Sequence, residues 1–123
     1  MKWIGLAAGG LLGTFARYVM SVFLFRVGGL RFPYGTLAVN LSGCFLIGFF
    51  VALGEEKIAL SPEAKLFLIT GFCGAYTTFS ALILETATLA KGEGLGIALL
   101  NLSANIIFGF VTFRTGMTAG EML

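Results

Sequence analysis

Four apolar runs of about 20 residues each occupy most of the sequence. They extend from about Trp3 to Phe25, Tyr34 to Leu53, Leu66 to Ala90 and Gly94 to Phe113. A helix of ~20 residues, at ~1.5 Å rise per residue, crosses the hydrocarbon core of a bilayer. Since 58% of the residues are hydrophobic and 11% are charged, we predict an all-α integral membrane protein with one four-span domain over residues 1–123. The first run lacks a small-residue cleavage site followed by polar sequence, so we expect it to remain as a span.

The middle of the third run is poorly suited to an uninterrupted helix. Gly71 and Gly74 each cost about 1 kcal/mol relative to Ala in a helix interior, and Thr77, Thr78 and Ser80 compete for backbone hydrogen bonds. Backbone groups released inside a membrane must be satisfied by protein, an ion or water in a cavity. We therefore predict that this helix is broken in the middle, at a functional site. The alternative is that the small and hydroxyl residues only allow helices to pack closely.

Two charged side chains lie within the predicted spans. Arg17 lies about two-thirds of the way along the first span. A buried arginine costs at least ~2.5 kcal/mol on insertion scales, so it should face a partner or an aqueous cavity unless it snorkels to an interface. Glu85 precedes the end of the third span, which Lys91 marks. It is predicted to lie in a vestibule, or else to be an interfacial carboxylate paired with Lys91 or Arg17.

Polar side chains at helical spacing mark one face of the second span and one face of the fourth. These faces comprise Thr36, Asn40, Gly43 and Ile47 in the second span, and Asn101, Asn105, Phe108 and Thr112 in the fourth. An amide in hydrocarbon needs hydrogen-bonding partners. Asn40 and the stripe on the fourth span therefore either join helices together or line a path for a transported species, and both alternatives remain open.

Enzymatic chemistry has little support in this composition. The chain has no histidine, and its six acidic residues include no pair at catalytic or metal-ligand spacing within a span. Cys44 and Cys73 both fall in apolar runs, where we interpret them as small core residues rather than a disulfide. A net charge of +2 without a basic cluster gives no reason to expect a nucleic-acid partner.

Basic residues are almost evenly divided between the two sides that four spans would create. Four lie on one side and three on the other, so the positive-inside rule gives almost no preference for either orientation. An antiparallel homodimer is therefore a reasonable hypothesis. The four are Lys2, Lys57, Lys65 and Arg114, and the three are Arg26, Arg31 and Lys91.

Three segments together resemble the Fluc/CrcB family of bacterial fluoride channels. They are Gly10–Tyr18 in the first span, Gly35–Asn40 followed by Gly43 and Gly48 in the second, and Gly71–Ser80 in the third. Each segment is weak evidence by itself. In this order, in a four-span chain of this length, they are specific, and the match extends over almost the whole sequence.

The resemblance implies a passive fluoride channel that relieves fluoride toxicity. It implies an antiparallel, dual-topology homodimer with two pores, multi-pass in the bacterial plasma (inner) membrane and surrounded by the lipid bilayer. A central sodium ion would be held by the main-chain carbonyls of Gly74 and Thr77 in the broken helix.

The resemblance also implies roles for individual side chains along the fluoride pathway. Asn40 would be the pore amide and Phe79 the first of two pore phenylalanines, although Leu82 stands where the family commonly has the second. Arg17 would lie near a vestibule. The remaining predicted pathway residues are Thr36, Ser80 and Glu85, together with Asn105 and Thr112 from the polar stripe.

Two other functions are alternatives, and a transporter, the first of them, resembles this chain in size and charge balance. A small four-span multidrug exporter also forms antiparallel dimers, but it normally carries a deep carboxylate in its first span, where this chain has Arg17 and no acid. A structural membrane assembly subunit would use every Gly and Asn for packing, and it would conduct no ions.

Overall fold

The chain folds into four helical spans in a computed structural model that describes residues 1–29, 31–56 and 60–123. The described part contains four helical segments that are long and apolar enough to cross a membrane, as the sequence predicts. Lys57, one of the four basic residues counted on the first side, lies outside the described residues. The spans are α1 (Lys2–Gly28), α2 (Tyr34–Glu56), α3 (residues 62–76) continued by α4 (Phe79–Gly92), and α5 (Leu95–Glu121).

The third span begins at a capped helix end and is partly wound as a π-helix. The Ser61 hydroxyl accepts a hydrogen bond from the Ala64 N–H at 3.1 Å, and Pro62 occupies the first helical position. From Leu66 to Cys73 the helix has π-helical winding, and it returns to α-helical winding at Gly74–Tyr76. Such winding is rare and is often found at functional sites.

The predicted break in the third span is confirmed and is two residues long. Thr77 and Thr78 have extended backbones, with φ/ψ of −81°/159° and −151°/116°. The helix starts again at Phe79 because the Thr78 hydroxyl accepts a hydrogen bond from the Ala81 N–H at 3.2 Å, which caps the new helix.

Glycines bring α1 against α3 at main-chain distance. A Cβ atom at Gly9 would collide with the Phe67 carbonyl, and one at Gly13 would collide with the Phe72 carbonyl. Small residues at such crossings let helices associate inside a membrane, where no hydrophobic effect drives them together. For these glycines, close packing is the role that the structure supports.

The fourth span extends well beyond its predicted end at Phe113. Gly116 and Gly120 contact the main chain of α2 at Phe45 and Phe49, so α5 keeps packing on α2 for two more turns. The sequence prediction ended this span too early because the last eight helical residues, 114–121, are less apolar.

Candidate functional site

The Asn40 side chain replaces helical hydrogen bonds that the break removes. Its Oδ1 accepts a hydrogen bond from the Thr78 N–H at 2.8 Å, and its Nδ2 donates to the Thr78 carbonyl at 3.2 Å. The second Nδ2 hydrogen goes to Asn105 Oδ1 at 2.9 Å. Both amide donors of Asn40 are therefore engaged, and one side chain on α2 pairs with both backbone groups of Thr78.

A chain of amides continues from Asn105 into the packed interior. Asn105 Nδ2 donates to the carbonyl of Asn101 at 2.9 Å and lies 3.3 Å from its Oδ1. Asn101, which is fully buried, donates to Thr86 Oγ1 on α4 at 3.0 Å. The polar stripe of α5 thus joins helices together at Asn101, while Asn105 connects it to the break.

A cavity of about 270 Å³ opens on one side of the break. Asn40 and Asn105 supply its polar wall, and Phe79 and Leu82 supply much of its apolar wall. The Phe79 ring is 73% exposed in the single chain, whereas Leu82 is only 4% exposed. Phe79 is therefore at the mouth of this cavity and Leu82 is at its base.

A second, larger cavity of about 450 Å³ also reaches the break. It contains Arg17, Thr36 and Glu85, and Thr78 lines both cavities. The Thr36 hydroxyl donates to Glu85 Oε1 at 2.7 Å, while the buried Oε2 finds no hydrogen-bond partner among the described residues. Arg17 and Glu85 thus line the same cavity, and that this cavity is the vestibule of an ion pathway stays a prediction. Within the described part of the chain, Glu85 forms no ion pair with Arg17 or Lys91.

Gly74 and Thr77 present main-chain carbonyls at the break. The Thr77 hydroxyl donates back to the Cys73 carbonyl at 3.0 Å, and its methyl group fills the space over Gly43. The side chain of Thr77 is therefore occupied, but its carbonyl and that of Gly74 accept no hydrogen bond from the residues that the structure describes. Gly74 is exposed, and a Cβ atom there would meet only the Ile69 carbonyl at 3.8 Å.

Two predicted pathway residues lie outside both cavities. Ser80 is exposed, with its hydroxyl 3.3 Å from that of Thr78. The Thr112 hydroxyl donates to the Gly109 carbonyl of its own helix at 3.1 Å. In the single chain, therefore, neither residue joins the cluster around Asn40.

Sequence reasoning missed three residues that organise the site. Thr78 was noted only as a helix breaker, although a threonine just before an apolar helical run is a typical N-cap. Nothing in the sequence indicated a role for Thr86, because its hydrogen-bond partner, Asn101, is on another helix. Tyr76 is 5% exposed and its hydroxyl lies 2.9 Å from that of Ser42, which ties the last turn of α3 to α2.

Comparison with known proteins gives a full-length match. The chain matches the family described as CrcB-like protein, Camphor Resistance (CrcB), over residues 4–117. It is 41% identical over 123 residues to the fluoride-specific ion channel FluC of Acidobacterium capsulatum, covering 100% of this chain and 98% of that protein. It is 46% identical over 114 residues to the protein of the same name from Chlorobium luteolum, covering 93% of this chain and 88% of that one. For the protein of that name from Desulforapulum autotrophicum, identity is 39% over 122 residues, covering 99% and 98%.

Proposed function

Because the chain belongs to the CrcB family, we propose that it is a passive, fluoride-selective ion channel that lets fluoride leave the cell and so relieves its toxicity. Its relatives are named as ion channels, and the chain is a multi-pass membrane protein and not an enzyme. We place it in the bacterial plasma membrane.

The observation that carries this proposal is that Asn40, which lines the smaller cavity, binds the main chain of Thr78, which lines both cavities. One cavity holds Arg17 and Thr36, the other holds Phe79 and Asn105, and the main chain that separates them is the extended segment held by the Asn40 amide. A polar group between cavities in a membrane-spanning bundle is expected where an ion must lose its water.

Fluoride is a small, strongly hydrated anion, so its water must be replaced by compact hydrogen-bond donors. The Nδ2 of Asn40 now donates to Asn105 Oδ1. We propose that fluoride in the smaller cavity accepts this hydrogen bond in place of Asn105 Oδ1. The ion is then held by an amide and not by a charged side chain. The edge of the Phe79 ring, which carries partial positive charge, adds a weak attraction at the cavity mouth.

We propose Arg17 and Thr36 as the donors of the larger cavity. The guanidinium attracts anions into a vestibule whose apolar walls weaken screening. Glu85 accepts the Thr36 hydrogen bond, and its buried Oε2 has no hydrogen-bond partner among the described residues. The outer positions Ser80 and Thr112 are proposed to join the pathway only where a second copy covers them.

We propose that the working unit is an antiparallel homodimer with two pores. Phe79 and Gly74 are both exposed at the surface of the single chain, although one lines a cavity and the other belongs to the broken helix. A second copy would cover them and close the smaller cavity. The nearly even distribution of basic residues allows both orientations to insert.

A sodium ion is proposed at the break, held by the carbonyls of Gly74 and Thr77. The fit is chemical: these oxygens are hard, uncharged ligands without hydrogen-bond donors among the described residues. Gly74 leaves its backbone uncovered at the subunit surface, where a second copy could supply further ligands. When bound, the cation would raise the local potential for anions.

Purified protein reconstituted in liposomes tests the proposal. Fluoride and chloride efflux are followed with ion-selective electrodes under the same gradient and without a proton gradient. We expect rapid fluoride efflux and little chloride efflux. A structural subunit would give neither, and a proton-coupled exporter would depend on an imposed proton gradient.

A further inference from the structure

We propose that Thr86 and Asn101, which line neither cavity, are positioning residues for the break, an inference that rests on the proposed function. They hold in place the Asn40 amide, whose orientation the Thr78 N–H sets, and through it the main chain of Thr78, by a chain of hydrogen bonds.

A single main-chain N–H group determines which atom donates and which accepts in each of these hydrogen bonds. The Thr78 N–H can only donate, so the oxygen of Asn40 must face it, at 2.8 Å. The Asn40 nitrogen then faces Asn105, which must present its oxygen, at 2.9 Å. The Asn105 nitrogen consequently faces the oxygens of Asn101, and the Asn101 nitrogen faces Thr86 Oγ1 at 3.0 Å. Each amide orientation thus depends on the one before it.

The chain of hydrogen bonds is also a closed circuit through three helices. It leaves the start of α4 at Thr78, crosses to α2 and then to α5, and returns to α4 at Thr86. The two contact points on α4 are eight residues apart, or about 12 Å along the helix axis. The circuit therefore fixes the rotation of α4 against α2 and α5, and with it the direction in which the broken segment presents its groups.

The last acceptor is needed because Asn101 is fully buried. If the Thr86 hydroxyl were removed, the Asn101 NH₂ group would lose its acceptor in a place that water does not reach. Rotation of the Asn101 amide would then put N–H groups against the Asn105 nitrogen. Asn105 is the residue that holds the second donor of Asn40, so the disturbance would reach the break.

Thr86→Val tests this inference because it keeps the shape of the side chain and removes only the hydroxyl. Thr86→Ser keeps the hydroxyl, and Thr88→Val is the matched control, since the Thr88 hydroxyl donates only to the Leu84 carbonyl of its own helix. In proteoliposomes we expect Thr86→Val to slow fluoride efflux by about three- to tenfold, the factor that one hydrogen bond supplies. Thr86→Ser and Thr88→Val should match the wild type.

A second measurement does not depend on fluoride. Hydrogen exchange of the Thr78 amide, followed by NMR in micelles, should be faster in Thr86→Val and in Asn101→Leu, and unchanged in Thr86→Ser and Thr88→Val. Wild-type exchange at Thr78 in Thr86→Val would overturn the inference, as would a Thr86→Ser variant as impaired as Thr86→Val, because methyl packing would then explain the effect. If the wild type conducted no fluoride, the proposed function would fail and the exchange comparison alone would decide the inference.

Discussion

Replacing Asn40 by Asp removes two donors and adds a negative charge at almost constant volume. The Thr78 carbonyl and Asn105 Oδ1, which now accept from Nδ2 at 3.2 and 2.9 Å, would each face a carboxylate oxygen. Each acceptor left without a donor costs about 1–3 kcal/mol, or about 2–6 kcal/mol for the pair. The lower limit alone, about 2 kcal/mol, corresponds to a factor of about 30 in an equilibrium constant. A fluoride ion ~4 Å from the new charge would meet a further repulsion of about 4 kcal/mol at an effective dielectric constant of ~20.

We therefore expect Asn40→Asp to reduce fluoride efflux from proteoliposomes to the background of empty liposomes. Asn40→Ser, which keeps one hydroxyl donor, should give an intermediate rate. Size-exclusion elution and thermal unfolding of each variant separate loss of conduction from loss of folding. If Asn40→Asp eluted as the wild type does and released fluoride at the wild-type rate, Asn40 would not lie on the pathway and the argument from its donors would be wrong.

Three further sets of changes test other parts of the account. Phe79→Ile should slow fluoride efflux by about two- to tenfold, as expected for an edge contact of about 0.5–1.5 kcal/mol. Leu82→Phe should fold and conduct fluoride. If Phe79→Ile conducted like the wild type and Leu82→Phe misfolded, Phe79 and Leu82 would be ordinary packing residues. Gly74→Ala should leave the chain folded, but sodium should raise its thermal stability, relative to a large organic cation, by less than it raises that of the wild type. Gly13→Ala should destabilise the fold itself, because a Cβ atom at Gly13 would collide with the main chain of Phe72. Equal responses to sodium in wild type and Gly74→Ala would argue against the sodium site. Two or three lysines added between Arg26 and Arg31 should bias the chain toward one orientation and reduce conduction. A C-terminal tag that labels from one side only in the unmodified protein would contradict dual topology.

The sequence predicted the spans well because their signal is local. Apolar length identifies a span without knowledge of its neighbours, and the weak helical character around Gly74 and Thr77 indicated the break. The end of α5 was missed because residues 114–121 are less apolar than the rest of the span, and the sequence does not show that Gly116 and Gly120 pack on α2. The π-helical winding at Leu66–Cys73 was also missed, since nothing in the residue types distinguishes it from an α-helix.

The site was predicted in its residue types but not in its connections. Asn40 and Asn105 were identified because an amide in an apolar run requires a partner, and that argument does not say which one. The partners are the Thr78 main chain and the Asn101–Thr86 pair, which depend on how α2, α4 and α5 pack. Thr112 follows the same helical stripe as Asn105, yet it lines neither cavity, and its hydroxyl donates to the Gly109 carbonyl of its own helix, a common bond for a threonine within a helix.

The most direct test of the central claim is the reversal potential of the purified protein in a planar bilayer. With chloride equal on both sides and a tenfold fluoride gradient, we expect a passive fluoride-selective pore to give a reversal potential of about 59 mV. Its sign should be the one produced by an anion that moves down the fluoride gradient. Reversing the gradient should reverse that sign. A current whose reversal potential stayed at zero, or followed chloride when chloride was varied instead, would contradict the account, and so would the absence of any current.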